Sequence, residues 1–211
     1  LLFFSIFVVT QEVEEVITTG SLIKDVEADS SPVELITKND FDNLNINNVA
    51  EISKYLTSSS GSHFQTNALD GVDQGMSNIT LRGLDHASTL VLINSKRHTF
   101  SGTTSQEGEG YIDTNIIPVI AFKKVEILKE GATSLYGSDA VAGVINFFTY
   151  KDFEGFKLKF GEQGTTNYES KETNVGFLYG AKNRNTNLVI AYDQLEKKPL
   201  SANEIPRIAE L

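Results

Sequence analysis

Three segments late in the chain limit most tightly what it can fold into. Phe156, Leu158 and Phe160 alternate with Lys157, Lys159 and Gly161. Val175, Phe177, Tyr179 and Ala181 alternate with Gly176, Leu178 and Gly180, and Leu188, Ile190 and Tyr192 with Val189, Ala191 and Asp193. A period of two puts alternate side chains on opposite faces of a strand, so each segment is a strand with two unlike faces. Each runs to about ten residues, the length a tilted strand needs to cross a bilayer. Lys182-Asn183-Arg184-Asn185 is a tight polar turn between the second and third segments, and Gly164 to Ser170 a longer loop between the first and second. Alternation alone fits an antiparallel meander in a water-soluble sheet equally well. Three transmembrane strands cannot stand by themselves, because their edges would leave backbone groups unpaired in lipid. A membrane reading therefore needs more strands than these three.

No later stretch has the roughly 18 apolar residues of a spanning helix, so any membrane residence must come through a barrel. At the start, Leu1 to Val9 is almost wholly apolar before Thr10-Gln11-Glu12 turns polar. Such a run is too short to span as a helix, and its length matches the apolar core of a secretory signal, about 7–15 residues. Residues 1–10 are therefore expected to be the remnant of a signal peptide; an apolar first strand is the other reading. The net charge of -10 repels phosphate backbones and disfavours nucleic acid. With no Cys, disulfides and thiolate metal sites are excluded.

Between these ends the chain reads as a mixed α+β domain with few helices. Residues 11–30 are a polar segment with a strand-prone island at Val16-Ile17-Thr18-Thr19, closed by Gly20. Ser31 to Thr37 alternates as a strand with one buried face. Asn48 with Glu51 predicts a capped helix carrying Val49, Ile52, Tyr55 and Leu56, which Ser58 to Gly61 ends. Residues 62–78 and 97–110 are loops rich in small and polar residues. Strands are expected at Ile79–Gly83, at Thr89–Asn94 (buried on both faces), at Phe122–Leu128 and at Val144–Thr149, with short helical turns broken by Gly137 between the last two.

Three stretches carry a family resemblance. The longest runs through Ile117-Pro118, Val125-Glu126-Ile127-Leu128-Lys129-Glu130-Gly131-Ala132 and Leu135-Tyr136-Gly137-Ser138-Asp139-Ala140-Val141-Ala142-Gly143-Val144-Ile145-Asn146. The second is Ile79-Thr80-Leu81-Arg82-Gly83-Leu84 followed by Thr89 to Asn94, and the third is Glu15-Val16-Ile17-Thr18-Thr19-Gly20-Ser21. Together they resemble the TonB-dependent receptors of Gram-negative outer membranes. The resemblance implies a plug domain at residues 31–149, preceded by a TonB-box and linker segment at 11–30. Residues 150–211 are then the first three strands of a truncated transmembrane β-barrel. A lumen wide enough to need a plug implies about 22 strands, so the chain is expected to be a fragment.

The resemblance also implies roles for residues. Glu15, Val16, Ile17, Thr18 and Thr19 are the expected TonB box, a short β-prone segment that a TonB-type inner-membrane protein can grip by strand addition. Arg82 is the expected plug–barrel contact, since a guanidinium beside the core needs carboxylate partners, which the resemblance puts on the barrel wall. The loops at 62–78 and 97–110 are the expected ligand-facing apex, with His63, Gln65, Asn67, Arg97, His98, Phe100 and Gln106 placed to hydrogen-bond or stack on a solute. Glu107 and Glu109 disfavour an anionic ligand at that point.

The glycines at 131, 137 and 143 match no nucleotide fingerprint, and no nucleophile elbow or metalloprotease motif is present. The three histidines lack zinc-site spacing, and Asp70 with Asp73 falls far short of a calcium cage. The expected function is therefore active uptake of a scarce solute (siderophore, cobalamin, haem or oligosaccharide) across the outer membrane, without enzymatic activity or cofactor. The alternative is a soluble periplasmic binding or signalling module built on a plug-like fold.

Overall fold

The computed structural model describes residues 19–20, 33–59, 76–102, 104, 108–164 and 171–198, which fold into two sheets. The first contains β1 (Val33–Thr37), β2 (Thr89–Ile93), β3 (Lys96–Arg97), β4 (Phe122–Leu128) and β5 (Gly143–Thr149), in the order β1-β4-β5-β2-β3. β4 lies antiparallel to β1 and β5, whereas β5 and β2 run parallel. β2 carries Leu90-Val91-Leu92, all buried, as expected of a strand covered on both faces. Asn94 and Ser95 turn it into β3 with φ of 51° and 63°, the left-handed pair that a primed two-residue hairpin turn requires.

The sheet packs on both sides. Val91, Val125, Ile127, Ile145 and Phe147 enter a larger apolar cluster on one face. Phe122 stands at its centre, with ring centroids 5.8 Å from Phe41 and 5.2 Å from Phe147. Val33, Leu90, Leu92, Leu128 and Val144 form a smaller cluster on the other face with Ala132 and Ala140. Ala132 immediately precedes α2 (Thr133–Tyr136), and Ala140 ends a single 3-10 turn at Ser138–Ala140, so the short helical turns around Gly137 come out as expected.

Two sequence expectations are corrected. The helix expected after Asn48 is a tighter 3-10 turn, Val49–Lys54, and the α-helix forms earlier, as α1 (Lys38–Asn43). α1 starts where Thr37 and Asp40 exchange hydrogen bonds: Asp40 N–H donates to Thr37 Oγ1 at 3.4 Å and Thr37 N–H donates to Asp40 Oδ2 at 2.8 Å. A three-residue repeat puts Val49 and Ile52 on the same buried side, and the turn ends at Lys54, before the half-exposed Tyr55. The strand expected at Ile79–Gly83 shrinks to an isolated bridge between Ser59 and Leu81. Arg82 and Gly83 take φ of 62° and 66°, and left-handed backbone cannot continue a ladder.

Glu51 does reach back as expected, its Oε2 accepting from Asn47 N–H at 3.0 Å and Asn48 N–H at 3.4 Å, while Lys54 pairs with Oε1 at 3.0 Å. Burial pushes the Glu51 carboxyl up, but these donors outweigh it and hold the group below the usual carboxylate range. A folded-state value below the unfolded one means stability that is present above the ordinary carboxylate value and lost as pH falls through the lowered one. Between pH 7 and 3, Glu51→Gln is therefore expected to flatten the acid loss of stability; equal slopes in parent and variant refute this.

The second sheet is an antiparallel run of β6 (Gly155–Gly164), β7 (Lys171–Lys182) and β8 (Asn187–Lys197). Residues 183–186 form the tight turn between β7 and β8, closed by Asn183 N–H donating to Thr186 O at 2.7 Å.

Candidate functional site

The pairing of β6, β7 and β8 sorts their side chains onto two faces. Phe156, Tyr179 and Ile190 lie in one cross-strand row, and Leu158, Phe177 and Tyr192 in the next. Phe177 stacks on Tyr192 with ring centroids 5.6 Å apart. This face points away from the first sheet: Leu158 is 57% and Phe160 72% exposed, and Tyr179, Leu188, Ile190 and Tyr192 lie open beside them. Single exposed apolar residues are ordinary, but a continuous apolar patch on a sheet face marks contact with something other than water.

The opposite face carries glycines and polar side chains beside the fully buried Leu178 and grips the first sheet's domain. Lys159, Gly176 and Asp193 form one row across the three strands. Lys159 Nζ donates to Ile46 O at 2.7 Å. Asp193 accepts from Asn174 Nδ2 at 2.6 Å through Oδ1 and from Ile120 N–H at 3.4 Å through Oδ2. Gly176 has no side chain to fend off Ile120, whose Cδ1 lies 3.5 Å from where a Cβ would stand. The connecting residues 150–154 cross Gly180 so closely that a Cβ there would sit 2.0 Å from Phe153 O. Lys157 covers the rings of Tyr150 and Phe153 at 5.6 and 5.9 Å, and Asn187 Nδ2 donates to Lys151 O. Three strands with a bare apolar outer face and an inner face held against a folded domain have the pattern of a segment of barrel wall.

Of the expected apex residues, the structure brings Arg97, His98 and Phe100 to one cleft, where they join His86, Tyr111 and Asp139. Arg97 pairs with Asp139 and also donates to Tyr136 O, which ties β3 to the turns before β5. Phe100 is exposed and packs on Gly110. His86 and Tyr111 were not singled out from sequence, since nothing local marks them; their rings meet 6.0 Å apart only through the fold. His63, Gln65, Asn67 and Gln106 lie outside the described residues, as do Glu15, Val16, Ile17 and Thr18. Thr19 is described and buried. Arg82 is exposed, its N–H donating to Ser58 O at 2.6 Å. Among the described residues no cluster of three or more His, Cys, Asp or Glu is placed to hold a metal ion.

The family description "TonB-dependent Receptor Plug Domain" matches residues 25–144, more than half of the 211 residues. The chain belongs to the TonB-dependent receptor plug family. A curated Acinetobacter baumannii relative named "Probable TonB-dependent siderophore receptor PirA" is 30% identical over 156 residues, covering 69% of this chain and 20% of the relative. The chain thus spans one fifth of that protein's length. The crystal structure of the siderophore receptor PirA from Acinetobacter baumannii matches with a TM-score of 0.60 at 24% identity, over 84% of this chain and 26% of that one. The ferric citrate transporter FecA in its unliganded form matches with a TM-score of 0.60 at 16% identity, over 80% of this chain and 26% of that one. These structural likenesses establish the fold: a plug with its mixed sheet, joined to antiparallel wall strands.

Proposed function

We propose that this chain forms the plug (residues 31–149) and the first wall strands (150–211) of an outer-membrane receptor that imports a ferric siderophore. A TonB-type protein of the inner membrane supplies the work. The observation that carries the reading is the two-faced wall. A water-soluble periplasmic module would have to leave Phe156, Leu158, Phe160, Tyr179 and Ile190 in water, whereas a barrel in lipid buries them. The inner face holds the plug through Lys159 and Asp193, as a wall around an occluded lumen must. The name of the Acinetobacter baumannii relative supports the siderophore class.

A porous outer membrane holds no gradient of its own, so accumulation needs an external pull. Glu15 to Thr19 are the proposed grip for it, by strand addition. Arg97, His98 and Phe100, with His63, Gln65, Asn67 and Gln106, are the proposed ligand-facing residues, and Arg82 the proposed contact to acidic groups elsewhere on the wall. The role assigned is transport, with no enzymatic step.

The test uses the intact protein in Gram-negative cells stripped of their own siderophore receptors. Uptake of radiolabelled iron presented as a siderophore complex is expected only when both the protein and a TonB-type partner are present. Haem, cobalamin and oligosaccharide serve as competing solutes. Recovery of the protein solely from the soluble periplasm, or uptake indifferent to the partner, contradicts the reading.

A further inference from the structure

The two lysines that β6 turns towards the plug, Lys157 and Lys159, stand at an open edge. β6 ends the three-stranded sheet, so among the described residues only its β7 side is paired. A cleft of about 400 Å³ runs along the other side, between α1 and β6. Its polar lining includes Lys38 and Asp42 on the plug and Lys157 and Lys159 on the strand. Three ammonium groups thus meet one carboxylate, and Asp42 is already bound to Lys38 at 2.6 Å. Lys159 Nζ has a backbone carbonyl, Ile46 O at 2.7 Å, and Lys157 rests over the rings of Tyr150 and Phe153. Neither forms an ion pair among the described residues. Asp193, in the row of Lys159, takes its hydrogen bonds from Asn174 and Ile120. A wall that closes over these lysines removes their water, and an ammonium group left there without a counter-charge is costly.

We propose that β6 takes a neighbouring strand whose inward side chains are carboxylates, paired with Lys157 and Lys159. The inference rests on the proposed function, which supplies a wall continuing past β6, and adds the chemistry that the neighbour must carry. The open edge needs backbone partners, because unpaired N–H and C=O groups cannot face lipid. Leu158 and Phe160, which line the same cleft, need apolar neighbours on the outer face. The lysines need negative charge on the inner face. A free anion would answer only the last of these. A strand alternating apolar and acidic residues answers all of them, since its successive side chains point to opposite faces. The pairing also fixes register, because a slip of one residue would turn the acids towards lipid. Lys159 holds the plug through Ile46 O, and Lys38 faces the same cleft. Closure of the wall and seating of the plug therefore share one charge cluster.

The test treats the intact protein, in purified outer membranes, with a carbodiimide, which joins an ammonium nitrogen to a carboxylate in contact with it as an amide. Mass spectrometry of the digest is expected to find Lys157 or Lys159 joined to an Asp or Glu of the same polypeptide outside residues 1–211. Bonds only to acids within residues 1–211, bonds to a second copy or to another protein, or no bond at all, overturn the proposal. Mixing isotope-labelled with unlabelled protein separates bonds within one copy from bonds between copies. A second arm reverses the charges. Lys159→Glu is expected to lower the heat-modifiable, folded fraction about tenfold. Changing the cross-linked acid to Lys in the same molecule is expected to restore that fraction to within about twofold of the parent. A double variant no better folded than Lys159→Glu alone also overturns the pairing. Recovery of the parent solely from the soluble periplasm defeats the proposed function instead, whereas a membrane-assembled parent without the bond defeats only the acidic neighbour.

Discussion

Gly143→Ala is expected to cost the plug about 3–5 kcal/mol, among the largest effects of any single methyl in this chain. Two penalties coincide there. The residue opens β5 at φ +144°, a conformation that L side chains rarely adopt. An added Cβ would also stand 2.3 Å from Leu128 O and 2.9 Å from Leu81 Cδ1. Neither neighbour can retreat cheaply: Leu128 ends β4 in register with Val144, and Leu81 is wholly buried. The chain can relieve the clash only by parting β4 from β5. The measurement is amide protection across β2, β4 and β5, which should collapse in Gly143→Ala. Gly102→Ala is the control, because a Cβ there meets nothing within 4 Å. Equal protection in the two variants would show that the β4–β5 junction is looser than its geometry states.

Leu158→Arg separates a wall in lipid from a sheet in water. Leu158 lies in the middle row of the outer face, beside Phe177 and Tyr192, and is 57% exposed. In water, a charge on an exposed strand face is close to neutral, within about 0.5 kcal/mol. At the middle of a lipid-facing wall the same charge costs about 2–4 kcal/mol. The intact protein carrying Leu158→Arg is thus expected to assemble into the outer membrane far less efficiently than the parent. Ala191→Ser, on the inner face of the neighbouring strand, should assemble normally. The readout is the fraction of heat-modifiable, folded protein in purified outer membranes. Normal assembly of Leu158→Arg argues for an aqueous sheet.

Much of this architecture was legible from local pattern. Phe122–Leu128 was legible as a strand, with Phe122, Val125 and Ile127 among its seven residues. The three late strands announced themselves by strict alternation, since a period of two has no other regular solution. Gly137 broke the helical turns where expected. Other elements were misread because the deciding contact was not local. α1 depends on an exchange between Thr37 and Asp40, one methylene shorter than the usual Glu or Gln version, so it escaped notice. Ile79–Gly83 has strand composition, yet Arg82 adopts left-handed backbone. Of the candidate apex residues, Arg97 is expected to hydrogen-bond or stack on a solute, and the structure shows its guanidinium paired with Asp139.

By itself the sequence determined which residues alternate, where turns fall, and that the chain carries the plug motifs, because these follow from side-chain period and backbone preference within a few residues. Only the tertiary structure decided which face of β6–β8 meets the plug and which stands bare. It alone brought Thr19 across more than a hundred residues to Glu126. The reason is physical: a strand's two faces are set by its own residues, but what each face touches depends on the packing of segments far apart in the chain. A buried carboxylate in turn shows its partner only once the donors have been brought to it.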